Sequence, residues 1–304
     1  MDFTVPLSSP FSLEYTLESG QLFRWQRRGE WWLGAISGSA LRIKQVGDLL
    51  HCTSASESLD GSFVRRYFRL DVDLDHVLAS VSKDDTIAKA VEKYYGMRLV
   101  AQDFWECLAS FVLATNANIP RIKKMVAAVC EEFGDRFEFE GERIAAFPTP
   151  ASIAGATEGR LKACGLGYRA PFLRRVASAV AGDEVDSREI RGLEYSEARK
   201  LLLKELLGQK LLLGVGPKVA DCVLLYSCGK DEAFPIDVWI GRVLADTYPR
   251  ILGPALRRRL DGGERHGLSL SDYDKVSARV RSYFGDFAGY AQQYLYAAAR
   301  DEGK

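Results

Sequence analysis

Lys218 and Asp237, nineteen positions apart, are the residues with the most chemistry to offer. The lysine follows the turn Gly214-Val215-Gly216-Pro217 and falls in the first turn of a helix expected over 218–227. A cation there opposes the helix dipole, and a sequence serving structure alone favours Asp or Glu at such a place. A lysine amine ordinarily titrates near about 10.4, so it attacks carbon only when desolvation or a positive field releases its lone pair. A helix N-terminus supplies such a field. Asp237, within Phe234-Pro235-Ile236-Asp237-Val238-Trp239-Ile240, has the type and place of an N-cap for the helix that runs on through Val243, Leu244 and Ala245. In a water-poor cleft the same carboxylate can also stabilise a developing positive charge and assist proton transfer.

The turn before Lys218 has its own use. Gly214 and Gly216 permit a tight backbone reversal between helical stretches over 196–207 and 218–227. Successive N–H groups at the start of the second helix, Gly214, Val215 and Gly216 among them, then face outward and suit a phosphate oxygen, so the hairpin at about 205–228 can grip a DNA backbone without reading its sequence. A plain αα-hairpin with a glycine connector explains G-x-G equally well.

The elements that must hold these groups divide the chain in two. Short β-rich runs at 23–25, 31–35 and 40–44, broken by Arg28-Gly29-Glu30 and Ser37-Gly38-Ser39, make the first hundred residues read mainly as an antiparallel meander. From Phe104 onward apolar residues recur at helical spacing, as in Phe104, Leu108, Phe111 and Val112, and the remainder reads as almost wholly helical. Pro148 and Pro150 open one helix, Gly165 and Gly167 precede a basic one over 171–181, and the polar stretch 182–191 reads as a surface link.

Composition narrows the function classes. The 304 residues are 47% hydrophobic, enough to bury one large or two ordinary cores, and no apolar run approaches the roughly 20 residues of a membrane span. The start has no leader-like pattern, which points to an intracellular protein. Six scattered cysteines without a C-x-x-C pair and three isolated histidines argue against a metal site or an iron–sulfur cluster. The balance of 41 basic and 41 acidic residues lacks the basic excess usual in nucleic-acid binders, although a groove needs only a local positive field.

The stretch from Glu205 to Tyr248 resembles the helix-hairpin-helix (HhH-GPD) glycosylase superfamily, marked by this hairpin and a following Pro-x-Asp. More closely, the chain resembles the 8-oxoguanine DNA glycosylase family. The segments Ser19-Gly20-Gln21-Leu22-Phe23-Arg24-Trp25, Glu106 to Phe111 running into Thr115-Asn116-Ala117-Asn118-Ile119, Gly165-Leu166-Gly167-Tyr168-Arg169-Ala170 and Ala288 to Tyr296 carry that likeness across nearly the whole chain. The resemblance implies an α+β fold: an N-terminal antiparallel twisted sheet domain over 1–98, then a mostly α-helical HhH-GPD domain over 99–304 with the site in a cleft between helical subdomains.

It also implies roles. Lys218 attacks the sugar C1′, expels the base and leaves a Schiff base whose β-elimination nicks the strand, while Asp237 is its carboxylate partner. A base must leave the duplex for this, so a pocket, a wedge and a gap-filler are expected. Gly20 offers the carbonyl that accepts from N7–H of oxidised guanine, Cys222 and Tyr296 sandwich the flipped base, and Gln292 bonds its Watson–Crick edge. Asn116 fills the vacated space, Tyr168 is the wedge, and Arg121 with Arg169 read the estranged cytosine. Read locally, Gly20 is equally a strand-entry turn, Cys222 and Tyr296 core residues, and the arginines solvated surface charges.

Leu213, Ala117, Trp239 and Ala299 depart from the pattern of the family's animal members, which points to a microbial branch. The expected partner is duplex DNA containing oxidised guanine, met by a monomer with no membrane and no obligate protein partner, in the cytoplasm and nucleoid or in a nucleus. No cofactor is implied, apart from a structural monovalent cation that carbonyls of Leu211, Leu213 and Val215 can line. Two rivals remain open: an alkylpurine glycosylase that activates water and needs no Lys218, and a non-catalytic helix-hairpin-helix binding module.

Overall fold

The computed structural model describes residues 1–207, 216–261 and 268–302. The N-terminal part is a five-stranded antiparallel sheet in the order β1-β5-β4-β3-β2, with β1 Asp2–Pro6, β2 Trp25–Arg28, β3 Trp31–Ile36, β4 Ser39–Val46 and β5 Leu49–Ser54. The expected meander is β2 to β5. Ser37 and Gly38 both take positive φ between paired Ile36 and Ser39, the two-residue turn whose twist matches the flanking strands. The first strand returns to pair with the last, Val5 opposite Leu50. One face of the sheet buries Val5, Trp25, Trp32, Leu41, Ile43 and Leu50 against α1 (Leu13–Glu18) and α2 (Gly61–Tyr67).

Residues 61–93 correct the reading of the first hundred as mainly strands. They form α2, α3 (Leu74–Val81) and α4 (Asp85–Lys93). Each starts on an aspartate cap: Asp60 accepts from Phe63 N–H, Asp73 from His76 N–H and Asp84 from Thr86 and Ile87 N–H. Leu74, Val77, Leu78, Val81 and Ile87 belong to the helical core rather than to the core under the sheet. Between Leu70 and Leu74 the buried residues change from the core under the sheet to the helical core.

Helix α5 (Phe104–Leu113) is buried on nearly all sides and forms the axis of the helical part. It packs against α6 (Ile119–Phe133), α9 (Ala170–Ala181) and α12 (Pro217–Ser227). Short helices α7 (Pro150–Ala154) and α8 (Glu158–Leu161) lead into α9, and the stretch expected as a surface link instead contains α10 (Ser187–Gly192), anchored by buried Ile190. The remainder, expected to be almost wholly helical, is interrupted by one hairpin among the described residues, β6 (Arg136–Phe139) and β7 (Glu142–Ala145), turning through Glu140 and Gly141 at positive φ. Its Phe137, Phe139 and Ile144 cover Leu33 and Ala40 on the other face of the sheet, which explains why a hairpin is needed there.

The rest is α11 (Tyr195–Leu207), α13 (Val238–Thr247), α14 (Pro249–Asp261), α15 (Leu270–Phe284) and α16 (Ala288–Glu302). The last helix crosses the molecule, packing on α3, α4, α13 and α15. No helix among the described residues is long and apolar enough to cross a membrane.

Candidate active site

Among the described residues helix α12 begins without a side-chain cap: Gly216 is its extended N-cap, Pro217 its first residue and Lys218 its second. The open N–H groups of that end suit an anion. Lys218 Nζ lies 4.9 Å from the centroid of the Phe111 ring, which stacks in turn on Tyr226 at 5.5 Å. One turn on, Cys222 is buried, and burial pushes its thiol up to about 12 against the pull of the Lys218 ammonium hydrogen-bonded to it.

Asp237 caps α13 as expected, its Oδ1 accepting from Ile240 N–H at 2.8 Å. Burial raises its carboxyl above the ordinary carboxylate range, opposed first by Lys218 and then by the N–H groups at the helix start. Lysine and aspartate therefore face each other across the start of two helices. Tyr296 joins them from α16, its phenol pushed up to about 12 by burial and by the Asp237 carboxylate.

Gly20 arrives from the opposite end of the chain. It sits at φ +90°, and a Cβ there would meet Tyr296 Cε1 at 3.0 Å and Ile119 Cδ1 at 3.2 Å. The segment is held by Gln293, whose Nε2 donates to Ser19 O at 3.0 Å while its Oε1 accepts from Tyr226 O–H at 2.5 Å. Gln21 adds bonds to the backbone of Arg98 and Val100. Neighbouring Gln292 is only 4% exposed, yet its Oε1 has no hydrogen-bond partner among the described residues. A buried acceptor without a partner among the described residues is open to a donor brought by a ligand.

A second cluster gathers at the α5–α6 turn. Asn116 takes φ +51°, and Asn118 caps α6 by accepting from Arg121 N–H at 3.0 Å. Arg169 is 1% exposed, donating from Nε and Nη2 to Thr115 O at 2.9 and 2.5 Å and from Nη2 to Asn116 O at 3.0 Å. Its Nη1 has no partner among the described residues, so the guanidinium is mostly committed to shaping the turn and has one buried donor left over. Burial lowers its pKa, with Tyr168 opposing and nearby Arg121 adding to the fall. Tyr168 is half exposed, lies 4.4 Å from the Arg169 guanidinium and donates to Thr115 O at 3.2 Å. Arg121 is exposed. Ile119, in contact range of position 20, joins this cluster to the first.

Gly214 and Val215 of the expected phosphate grip, and the Leu211, Leu213 and Val215 carbonyls expected around a cation, lie outside the described residues; Gly216 is within them. Among the described residues no group of three or more His, Cys, Asp or Glu side chains is placed to hold a metal ion. Phe111 under the lysine and Gln293 behind Ser19 have no site role assigned from the sequence. Gln293 had a signal, because two adjacent glutamines in an apolar helix point in different directions and each, once buried, needs a partner.

Residues 109–250 match the family model described as HhH-GPD superfamily base excision DNA repair protein, the class that the helical fold and its site define. Residues 4–108 match that of the 8-oxoguanine DNA glycosylase N-terminal domain. A probable N-glycosylase/DNA lyase of Methanothermobacter thermautotrophicus is 33% identical over 241 residues, 73% of this chain and 69% of that protein. The N-glycosylase/DNA lyase of Saccharomyces cerevisiae is 28% identical over 321 residues, 95% of this chain and 83% of the relative. The crystal structure of the Clostridium acetobutylicum 8-oxoguanine glycosylase/lyase, in complex with duplex DNA containing cytosine opposite 8-oxoguanine, superposes with a TM-score of 0.83 at 29% identity, covering 97% of this chain and 93% of that one. The chain belongs to the 8-oxoguanine DNA glycosylase family of the HhH-GPD superfamily.

Proposed function

We propose that this protein is a bifunctional DNA glycosylase and AP lyase that excises 8-oxoguanine from duplex DNA, preferably opposite cytosine. The observation that carries the reading is the amine of Lys218 beside the half-buried carboxylate of Asp237, at the start of an uncapped helix and flanked by Cys222 and Tyr296. Lys218 attacks C1′ and the N-glycosidic bond breaks, its electron pair leaving with the base, which takes up a proton. Asp237 stabilises positive charge on the sugar and assists the proton transfers. The resulting Schiff base makes the C2′ proton acidic, and its removal expels the 3′ phosphate oxygen.

Cys222 and Tyr296 hold the flipped base between them, Gln292 Oε1 accepts from its Watson–Crick edge, and the carbonyl at Gly20 accepts from N7–H. Ordinary guanine lacks that N–H, so the carbonyl would stay buried and unpaired. Tyr168 wedges the gap, Asn116 fills it, and Arg121 with the spare Nη1 of Arg169 faces the estranged base. The uncapped start of α12 at Gly216 takes a phosphate, so a single copy of the chain, working in the nucleoid or a nucleus, suffices.

The test is duplex carrying 8-oxoguanine opposite cytosine, with borohydride added during turnover. A covalent adduct that disappears in Lys218→Gln is expected. Base release without an adduct would instead mean activated water as nucleophile, the habit of an alkylpurine enzyme, and binding without release would mean a non-catalytic module.

A further inference from the structure

Asp221 is completely buried in the middle of α12, three residues past Lys218, among Val, Ala, Cys and Leu. A carboxylate in such a place is tolerated only when its oxygens are well bonded. Oδ1 accepts from Tyr195 O–H and from Arg199 Nε, both at 2.9 Å, and Oδ2 accepts from Tyr273 O–H at 2.7 Å. Arg199 also reaches Asp274 at 2.9 Å. Burial raises the Asp221 carboxyl, while Arg199 and the two tyrosine hydroxyls draw it back.

Tyr273, on α15, is 3% exposed and has a second partner. Its hydroxyl oxygen accepts the N–H of Ile236 at 3.1 Å, and Ile236 immediately precedes Asp237. The stretch from Ala233 to Asp237 lies in neither helix nor strand, so no regular ladder fixes its backbone. Arg69 grips Asp231 with two bonds of 2.6 Å, but that anchor is six residues before Asp237. Tyr195 shares the same carboxylate and is nearly as buried, and among the described residues its hydroxyl bonds Asp221 alone.

We propose that Asp221 and Tyr273 are positioning residues, joining the helix that carries Lys218 to the segment that carries Asp237 through the bridge Asp221 Oδ2···H–O Tyr273···H–N Ile236. The inference rests on Lys218 and Asp237 being the reacting pair. Neither residue of the bridge touches DNA; each acts by fixing the distance between amine and carboxylate, and small misplacements of reacting groups are expensive in rate.

Tyr273→Phe and Tyr195→Phe form a matched pair, since each removes one hydroxyl from Asp221 and only the first cuts the bond to Ile236. Single-turnover excision of 8-oxoguanine is measured well below the melting temperature, and competent molecules are counted by exhaustive borohydride trapping. Tyr273→Phe is expected to slow the chemical step by about 10- to 100-fold while affinity for duplex with a reduced abasic site is unchanged. Tyr195→Phe is expected to melt earlier yet turn over close to the wild-type rate. Equal rates for the two variants, whether both slow or both normal, overturn the proposal. If Tyr273→Phe folds poorly, Asp221→Asn added to it removes the under-bonded charge. The rate then stays low if the tie to Ile236 matters, and its return to the wild-type value overturns the proposal. Lys218→Gln in the same assay checks the reacting pair separately, because trapping that survives it refutes that reading whatever the tyrosines do.

Discussion

A methyl group on Gly20 would stand 3.0 Å from Cε1 of Tyr296, so the N-terminal segment and the last helix meet with no room between them for a side chain. Gly20 also sits at φ +90°, where an L-residue is strained by about 1–2 kcal/mol. Gly20→Ala is therefore expected to lower the melting temperature and to slow 8-oxoguanine excision by about 100-fold, through displacement of both the carbonyl and the Tyr296 ring. Borohydride trapping on duplex that already holds an abasic site should persist, since no base has to be seated. Parallel loss of both activities would show that the segment serves folding alone.

Gln292 makes the complementary prediction. Its Oε1 is buried and unpaired among the described residues, so Gln292→Leu, of similar volume, removes a desolvated polar atom and should leave the melting temperature unchanged or higher. Excision should nevertheless fall, because a pocket that bonds a substrate edge loses discrimination and rate once the acceptor is gone. A destabilised variant with normal excision would make Gln292 a core residue. Gln293, its neighbour, should behave the other way, since its bonds to Ser19 and Tyr226 are internal.

How much of this was legible in the sequence depends on the range of the interaction involved. The meander β2 to β5 was readable because its turns are local chemistry, Ser37-Gly38 above all. Helices α2 to α4 have equally local caps in Asp60, Asp73 and Asp84, but they are short and their apolar faces pack against distant parts of the chain, so their type is less evident from sequence than that of the strands before them. The β6–β7 hairpin has a local signal in the Glu140-Gly141 turn between alternating Phe137, Phe139 and Ile144, but the surface it covers, Leu33 and Ala40, lies a hundred residues earlier and leaves no local trace. In the site, Lys218 and Asp237 stood out through their places at helix starts. The contact of Gly20 with Tyr296, and the commitment of Arg169 to two backbone carbonyls, are tertiary facts with no local trace.

Asp237 predicts a pH dependence with a defined sign. Its carboxyl is raised in the folded protein, so the native state holds that proton to higher pH than the unfolded chain does. Lowering the pH through the raised pKa protonates the carboxylate and should switch off the chemical step while DNA binding persists. For stability the sign is reversed: ionisation of Asp237 destabilises the fold once the pH exceeds the folded pKa, and the penalty vanishes below the unfolded value. Asparagine caps a helix as well as aspartate. Asp237→Asn should thus be nearly inactive, yet melt at the same temperature as the wild type or a few degrees higher at neutral pH, with the difference closing in acid. A lower melting temperature at neutral pH would sink the idea that this carboxylate is kept charged at the expense of stability.

Arg169 and Arg121 separate turn-holding from base-reading. Arg169→Lys keeps the charge but cannot reproduce three bonds to the Thr115 and Asn116 carbonyls, and losing the charged hydrogen bonds of a buried guanidinium lowers stability by about 1–3 kcal/mol. Asn116, held at φ +51° by that turn, should relax with it. Arg121 is exposed, so Arg121→Ala should stay within about 0.5 kcal/mol of the wild type. Excision rates opposite cytosine and adenine then divide the two functions. If both arginines face the estranged base, both variants narrow the preference for cytosine, although only Arg169→Lys melts early. If Arg169→Lys melts early but keeps the full preference, its spare Nη1 reads nothing and Arg169 serves only to hold Asn116 and the Tyr168 wedge in place.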